Sequence, residues 1–160
     1  MDAPIMTLAE AMLVPTFSRE TFDEVIGDIK PLLPLHWEEL AAYPDIPLAP
    51  DLDFYKRAGD AGALRFYTVR LGGGLMGYVI MTIVPHHPHY MGQPFAIADI
   101  CWVHPDHRNF GVGTGLFDFM ESDLKGFVVS VGDKITSPAL GLLLKGRGYE
   151  PISVSYAKRL

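Results

Sequence analysis

One cysteine, Cys101, stands in a chain of 160 residues. That scarcity excludes an intramolecular disulfide and a zinc site built on thiolates, and it fits a reducing compartment. Basic residues are few as well: thirteen Lys and Arg against nineteen Asp and Glu give a formal charge of −6, with no block of five or six cations. Nucleic acid is therefore not expected as a partner. Long apolar runs are missing; Leu75 to Val84, the longest clean one, is too short to cross a bilayer. Asp2 sits where a secretory signal carries basic residues, so the expectation is a soluble, cytoplasmic protein. No repeat or low-complexity segment occurs. The nucleotide loops are missing too: Gly111-x-Gly113-x-Gly115 lacks the dinucleotide spacing, and no lysine followed by Ser or Thr supplies a P-loop.

What is present is a chain that is 49% apolar, enough for one domain with a sizeable core. A short strand is expected around Ile5 to Val14. Phe22, Val25, Ile26, Ile29 and Leu33 then fall at helical spacing behind a cap at Ser18, and a second short helix fits Leu35 to Tyr43. Three prolines and three aspartates between Pro44 and Asp53 read as a loop. From Ala63 the period becomes that of strands: Leu64 to Leu71 and Leu75 to Val84 form a hairpin across Gly72-Gly73-Gly74. The proline-broken stretch from Pro85 to Pro94 interrupts the ladder before Phe95 to Val103, an almost continuous apolar strand expected at the sheet centre.

A helix follows from about Gly111 to Lys125, with Val112, Leu116, Met120 and Leu124 inward, Asp118, Glu121 and Asp123 outward, and Gly126 as its stop. A strand at Phe127 to Val131, a helix opened by Ser137-Pro138, and a closing strand from Tyr149 to Lys158 complete the order β, α, α, β, β, β, α, β, α, β. The sum is an α+β domain.

The run Val103-His104-Pro105-Asp106-His107-Arg108-Asn109-Phe110-Gly111-Val112-Gly113-Thr114-Gly115 joins the long strand to a helix. Glycines let the backbone approach a ligand, and the first N–H groups of a helix have no partner inside it, so this junction suits a pyrophosphate. The alternative is that the glycines only let helix and strand pack closely.

Arg108, Gly111 and Gly113 after this strand, the Val103 to His107 approach with its proline, and the Gly148-Tyr149 pair resemble the GNAT superfamily of N-acetyltransferases, over roughly residues 60 to 160. Residues 30 to 55, with Leu33 to Leu40 and Pro44 to Leu48, look like bacteriophage-encoded members, which implies a host cytoplasm for such a protein. The resemblance implies the GNAT-like acyl-CoA N-acyltransferase fold: a mixed, mostly antiparallel sheet with helices on both faces and splayed central strands. It divides the single domain 1–160 into a helical acceptor-side part, 1–60, and an acetyl-CoA-binding core, 61–160.

It further implies acetyl-CoA as acyl donor. The pyrophosphate would lie on the backbone of Asn109, Phe110, Gly111, Val112, Gly113 and Thr114, beside Arg108, and the pantetheine arm along Cys101, Trp102 and Val103. The partner would be an amine acceptor, with a homodimer as a further partner, since relatives often pair through edge strands or helices. An amine near a pKa of about 10.4 must lose a proton before it attacks a thioester. Asp99 is the candidate base, placed on the face of Cys101 and Val103 by the period of two; the alternative is that it satisfies backbone or arginine groups at a strand edge. His104 is a second candidate, although its place beside the loop also suits capping.

The family's usual tyrosine region holds Leu143 and Leu144, leaving the general acid to Tyr149, Tyr156, Ser137 or water. Trp37, Glu38 and Tyr90 are candidate acceptor contacts, within a wall that also draws on Glu39, Tyr43, Asp45 and Tyr55; an ordinary solvated helix face is the alternative for Glu38 and Glu39. His86, His87 and His89 match no zinc signature, so no metal is expected. The function implied is acetyl transfer to a primary amine of a small molecule or protein in a ternary complex; the alternative is a catalytically weak CoA-binding or virion-associated module with the same fold.

Overall fold

The computed structural model describes residues 14–108, 111–134 and 138–160. Its elements are β1 (Thr16–Glu20), α1 (Phe22–Leu40), α2 (Leu52–Asp60), β2 (Leu64–Leu71), β3 (Gly74–Val84), β4 (Phe95–Val103), a 3-10 turn (Pro105–His107), α3 (Val112–Asp123), β5 (Val128–Ser130) and α4 (Pro138–Gly146). The five strands lie in chain order, antiparallel throughout except for the parallel pair β4 and β5. The middle strand is therefore β3, not β4 as the sequence suggested.

Each face of the sheet carries its own core. On one, Val25 and Ile29 of α1 meet Phe66, Tyr78, Ile80 and Trp102, with Leu52, Tyr55 and Ala58 of α2 beside them. On the other, Leu116, Phe117 and Met120 of α3 and Leu144 of α4 cover Val69, Val79, Met81 and Ala96. Since β1 pairs with β2, the first sixty residues contribute a strand to the sheet as well as helices.

Several expectations are corrected. The strand expected at Ile5 to Val14 lies almost wholly outside the described residues; the opening strand is Thr16–Glu20, and Ser18 sits inside it. The cap of α1 is Thr21, whose hydroxyl accepts from the Glu24 N–H while the Glu24 carboxylate accepts from the Thr21 N–H. This is a capping box, legible as Thr-x-x-Glu. The two expected helices are one, running through Pro31 and Pro34. Each interior proline costs about 3 kcal/mol, but each large apolar side chain buried returns about 1.5–3 kcal/mol. The stripe Phe22, Val25, Ile29, Leu32, Leu33 and Leu40 supplies six such groups, fully or partly buried.

The expected loop ends early, because Asp51 accepts from the Phe54 N–H and starts α2. Gly72 and Gly73, at φ 55° and 86°, make the two-residue turn that the hairpin requires. The outward acids of α3 are tied down: Asp118 and Glu121 accept from Arg147, and Asp123 accepts from Tyr67, Arg65 and Arg19. The closing strand is absent; residues 150–160 form no ladder and are exposed. Ile152, Val154 and Tyr156 have the strand period, but a strand needs a neighbour. This segment is held instead by Arg159, which donates to both Asp45 carboxylate oxygens at 2.7 Å and lies 4.7 Å from the Tyr43 ring centre.

Gly77 faces Val103 across the β3 and β4 ladder. A Cβ there would stand 2.9 Å from the Trp102 carbonyl oxygen and 3.1 Å from the Val103 Cα, both backbone atoms that have no room to yield. Gly77→Ala is expected to cost about 1–3 kcal/mol, the usual scale of overpacking. Urea unfolding measures it, and an unchanged midpoint would refute the close approach of the two strands.

Candidate active site

Strands β4 and β5 are paired only at Phe95, Ala96 and Ile97 with Val128, Val129 and Ser130. Where they part, a cleft of about 2010 Å³ opens. One end is walled by Arg108, Gly111, Gly113 and Thr114, and the middle by β4 from Ile97 to Val103; His36 and Trp37 of α1 line it beside Trp102, and Tyr55 of α2 lines it beside Asp99. Ordinary ligand pockets measure about 300–1,000 Å³. The cleft has room for two reactants.

At the first end, Gly111 takes the left-handed conformation, φ 71°, as N-cap of α3, and no side chain caps the helix. The N–H groups of the first turn therefore remain open to an anion. Asn109 and Phe110 lie outside the described residues. The two readings of the glycines divide by position. A Cβ on Gly113 would meet only Leu143 and Val103, at 3.9 and 4.0 Å, whereas a Cβ on Gly115 would strike the Phe17 ring. Gly115 serves the packing of α3 on β1. Arg108 makes two structural bonds: its Nε donates to the Val103 carbonyl at 2.9 Å and its Nη2 to Glu39 Oε2 at 2.5 Å. It ties the end of β4 to α1.

Glu39 also accepts from the indole N–H of buried Trp102 at 3.0 Å. The Arg108 hydrogen bond holds its carboxyl below the usual range, against the opposing effect of burial. Being neutralised by Arg108, Glu39 offers an acceptor no free charge.

The middle of the cleft departs most from the strand pattern. Ile80 pairs with Ile100 but Met81 pairs with Ala98, so Asp99 is the extra residue of a β-bulge. Beyond the bulge the alternation is reversed. Cys101 and Val103 pack toward α3 and α4, with Ala96 and Ala98. Ile100 and Trp102 face α1 and α2, and the Asp99 carboxylate meets Tyr55 of α2, whose hydroxyl donates to Oδ2 at 2.6 Å. The expectation that Asp99 shares a face with Cys101 and Val103 is overturned, because a bulge breaks the period of two. Burial first, and Asp99 second, raise the Tyr55 pKa, so its hydroxyl keeps its proton. Burial pushes the Cys101 thiol up to about 12, which leaves it un-ionised.

The remaining candidates are placed as follows. Tyr149 lines the cleft, but its hydroxyl donates to Glu121 at 3.1 Å; burial, then the Glu121 charge, raises its pKa. His104 lies outside the cleft lining, where its Nδ1 accepts from the Asp106 N–H and caps the 3-10 turn. Trp37 lines the cleft; Glu38 is exposed on α1 and does not. Tyr90 stacks on Phe95 with His87 alongside, in the loop before β4, and is not among the lining residues. Among the described residues no group of three His, Cys, Asp or Glu is placed to hold a metal ion, and no helix is long and apolar enough to cross a membrane.

The model of the acetyltransferase (GNAT) family matches residues 29–149. The chain belongs to this family. As a GNAT protein it is an N-acetyltransferase with acetyl-CoA as acetyl donor. Solved structures agree in fold. A ribosomal-protein-alanine N-acetyltransferase from Brucella melitensis biovar Abortus 2308 is 19% identical, with TM-score 0.70, over 92% of this chain and 99% of that one. An aminoglycoside acetyltransferase from an uncultured soil metagenomic sample, in complex with sisomicin, is 18% identical, with TM-score 0.70, over 91% and 96%. A predicted acetyltransferase with acetyl-CoA from Clostridium acetobutylicum is 10% identical, with TM-score 0.68, over the same shares. A search of curated protein sequences finds no match.

Two residues of this GNAT site, His36 and Glu121, went unread in the sequence, and a third was read without its particular partner. Tyr55 was grouped with a general wall, although Asp51 three residues before Phe54, with Leu52, Tyr55 and Ala58 at helical spacing, signals a capped helix. His36, whose Nδ1 is 2.8 Å from the Tyr78 hydroxyl and whose ring stacks on Trp102, is lowered to about 4 by burial and so stays neutral. Glu121 was assigned to solvent. No local pattern reveals its bonds to Arg147 and Tyr149, which both lie just beyond the end of α4.

Proposed function

We propose that this GNAT protein acetylates a primary amine of a small molecule or a protein, by direct attack within a ternary complex, with Asp99 as the proton acceptor. One observation carries the reading: a single cleft joins the uncapped N-terminus of α3 to a carboxylate set on a β-bulge, with a splayed strand edge between them. Acetyl-CoA supplies the acetyl group as a thioester. The first turn of α3 fits its phosphates, because the N–H groups of Val112, Gly113 and Thr114 lack partners within the helix and no side chain caps them. The edge of β4 from Cys101 to Val103, unpaired with β5, fits an extended arm.

Asp99 takes the proton of the incoming ammonium. The free amine nitrogen then bonds to the carbonyl carbon, the carbon–sulfur bond breaks with its electron pair passing to sulfur, and the nitrogen sheds its second proton to water. Tyr149 does not supply the closing proton, since its hydroxyl is given to Glu121; water protonates the departing thiolate, whose thiol has a pKa near 8.5. His104, Glu38 and Tyr90 have no part in this reading. The acceptor side of the cleft draws on α1 and α2 from the first sixty residues together with Asp99 of β4, and the donor end on β4 and α3 with Glu39 of α1 behind Arg108. The bacteriophage resemblance of residues 30 to 55 rests on that segment alone, beside bacterial and metagenomic structures.

Calorimetric titration with acetyl-CoA, run beside CoA and the Arg108→Ala variant, tests the donor site. Arg108 shapes the turn into α3 through a carbonyl and a carboxylate, and a hydrogen bond to a charged group is worth about 1.5–3 kcal/mol. The variant is expected to bind acetyl-CoA at least about tenfold more weakly. No wild-type binding at millimolar ligand would overturn the assignment of the cleft. The acceptor end is tested by CoA release with sisomicin, a peptide with an N-terminal alanine, and lysine methyl ester. Binding without release across these amines would favour the catalytically weak CoA-binding module.

A further inference from the structure

Asp99 lies in an unusual position for a residue asked to point one way. As the extra residue of the bulge it has no partner across the β3 ladder, so the pairing that fixes its neighbours does not fix its side chain. The group that holds it comes from 44 residues earlier in the chain: the Tyr55 hydroxyl, 2.6 Å from Oδ2. No other hydrogen bond reaches this carboxylate among the described residues, which leaves Oδ1 of a cleft-lining residue without a protein partner.

Tyr55 is itself fixed. Its ring packs into the core beneath α2 with Leu52 and Ala58. Asp51 caps that helix, and Lys56 bridges it to Asp23 of α1 at 2.7 Å. A short charge-assisted hydrogen bond from a rigid helix is the means by which a carboxylate on an irregular backbone can be kept in one orientation.

We propose that Tyr55 is a positioning residue: its hydroxyl fixes Asp99 through Oδ2 so that Oδ1 meets the ammonium of the acceptor. This rests on the reading of Asp99 as proton acceptor. The tyrosine contributes no proton, because its own is directed at a carboxylate. Productive encounter requires the accepting oxygen within about 2.6–3.2 Å of the proton's heavy atom. Loss of the restraint lets the carboxylate turn away and lowers turnover without disturbing the donor end of the cleft.

Tyr55→Phe removes the hydroxyl and keeps the ring, so the core under α2 is retained. Steady-state kinetics with the amine that releases CoA fastest among sisomicin, the alanine peptide and lysine methyl ester give the readout. Tyr55→Phe is expected to lower kcat about tenfold or more, the scale of one hydrogen bond to a charged group, with KM for acetyl-CoA within about twofold and the same far-ultraviolet spectrum. In an Asp99→Asn background the same substitution is expected to change kcat by less than about twofold, since residues acting as one unit are not additive.

Undiminished kcat in Tyr55→Phe, with Asp99→Asn impaired, overturns the positioning role alone. An equal loss in both backgrounds overturns it too, because Tyr55 would then act without Asp99. Undiminished kcat in Asp99→Asn, or no turnover of any amine by the wild type, overturns the base assignment and this inference with it.

Discussion

Asp99→Asn is expected to lower kcat by about 10²–10⁴-fold, the span that a positioned acid–base group contributes. The amide keeps an oxygen for the Tyr55 hydroxyl and nearly the same volume, so the bulge and its packing should survive. It has almost no basicity. The protonated amine then reaches the thioester with its lone pair occupied, and only the small free-base fraction reacts. Binding of acetyl-CoA should stay within about twofold, because the donor end of the cleft is built from α3 and the end of β4 rather than from Asp99. Raising the pH should recover part of the lost rate, since it supplies free amine without help from the protein. A variant as active as the wild type at neutral pH would remove Asp99 from the mechanism.

Arg70→Met should give the largest loss of stability. Arg70 of β2 donates from Nε and Nη2 to the two oxygens of Glu20 in β1, both at 2.8 Å, and from Nη1 to Asp28 of α1 at 2.8 Å. Thr68, fully buried, also donates to Glu20. Only 19% of the Arg70 side chain and 12% of the Glu20 side chain are exposed, so water screens the pair poorly. Removing one partner strands the other, at a cost of about 3–5 kcal/mol. At about 2–4 °C per kcal/mol for a domain of this size, the melting temperature should fall by roughly 6–20 °C. A loss under about 1 kcal/mol would mean that the network is decorative.

The same network sets the response to acid. The Arg70 hydrogen bonds bring the Glu20 pKa from 4.5 to about 2. A carboxyl depressed in the folded state stabilises the fold above its unfolded pKa, and that contribution disappears as pH falls through the folded value. About 3 kcal/mol should therefore be lost between pH 4.5 and 2. In Arg70→Met this part of the acid transition should flatten, because Glu20 no longer has a cation to favour its charge. Denaturant titrations at several pH values separate the two curves.

Where the chemistry was local, the sequence was readable. The strands at Leu64, Leu75 and Phe95, the Gly72-Gly73 turn, the inward stripe of α3 and the helix start at Gly111 all announce themselves within a few residues, because backbone conformation and side-chain period are short-range properties. Where burial decided, it was not. Phe22 to Leu33 and Leu35 to Tyr43 read as two helices and became one that runs through Pro31 and Pro34, since the stripe on its buried face outweighed two lost hydrogen bonds. Ile152, Val154 and Tyr156 read as a strand and found no partner.

The acceptor end of the site shows the same division. The amino-acid order determined that an aspartate would stand near the middle of β4 and that a glycine-rich turn would follow that strand, which sets both close to one strand. Only the tertiary structure decided which way Asp99 faces. A bulge is a mismatch between two strands, so it belongs to the pairing of β4 with β3 and has no expression in either strand alone. The partners that fix the site, Tyr55 on Asp99, Glu39 on Arg108 and Glu121 on Tyr149, are 44, 69 and 28 residues apart, and packing of the helices on the two faces of the sheet is what brings them within hydrogen-bond reach.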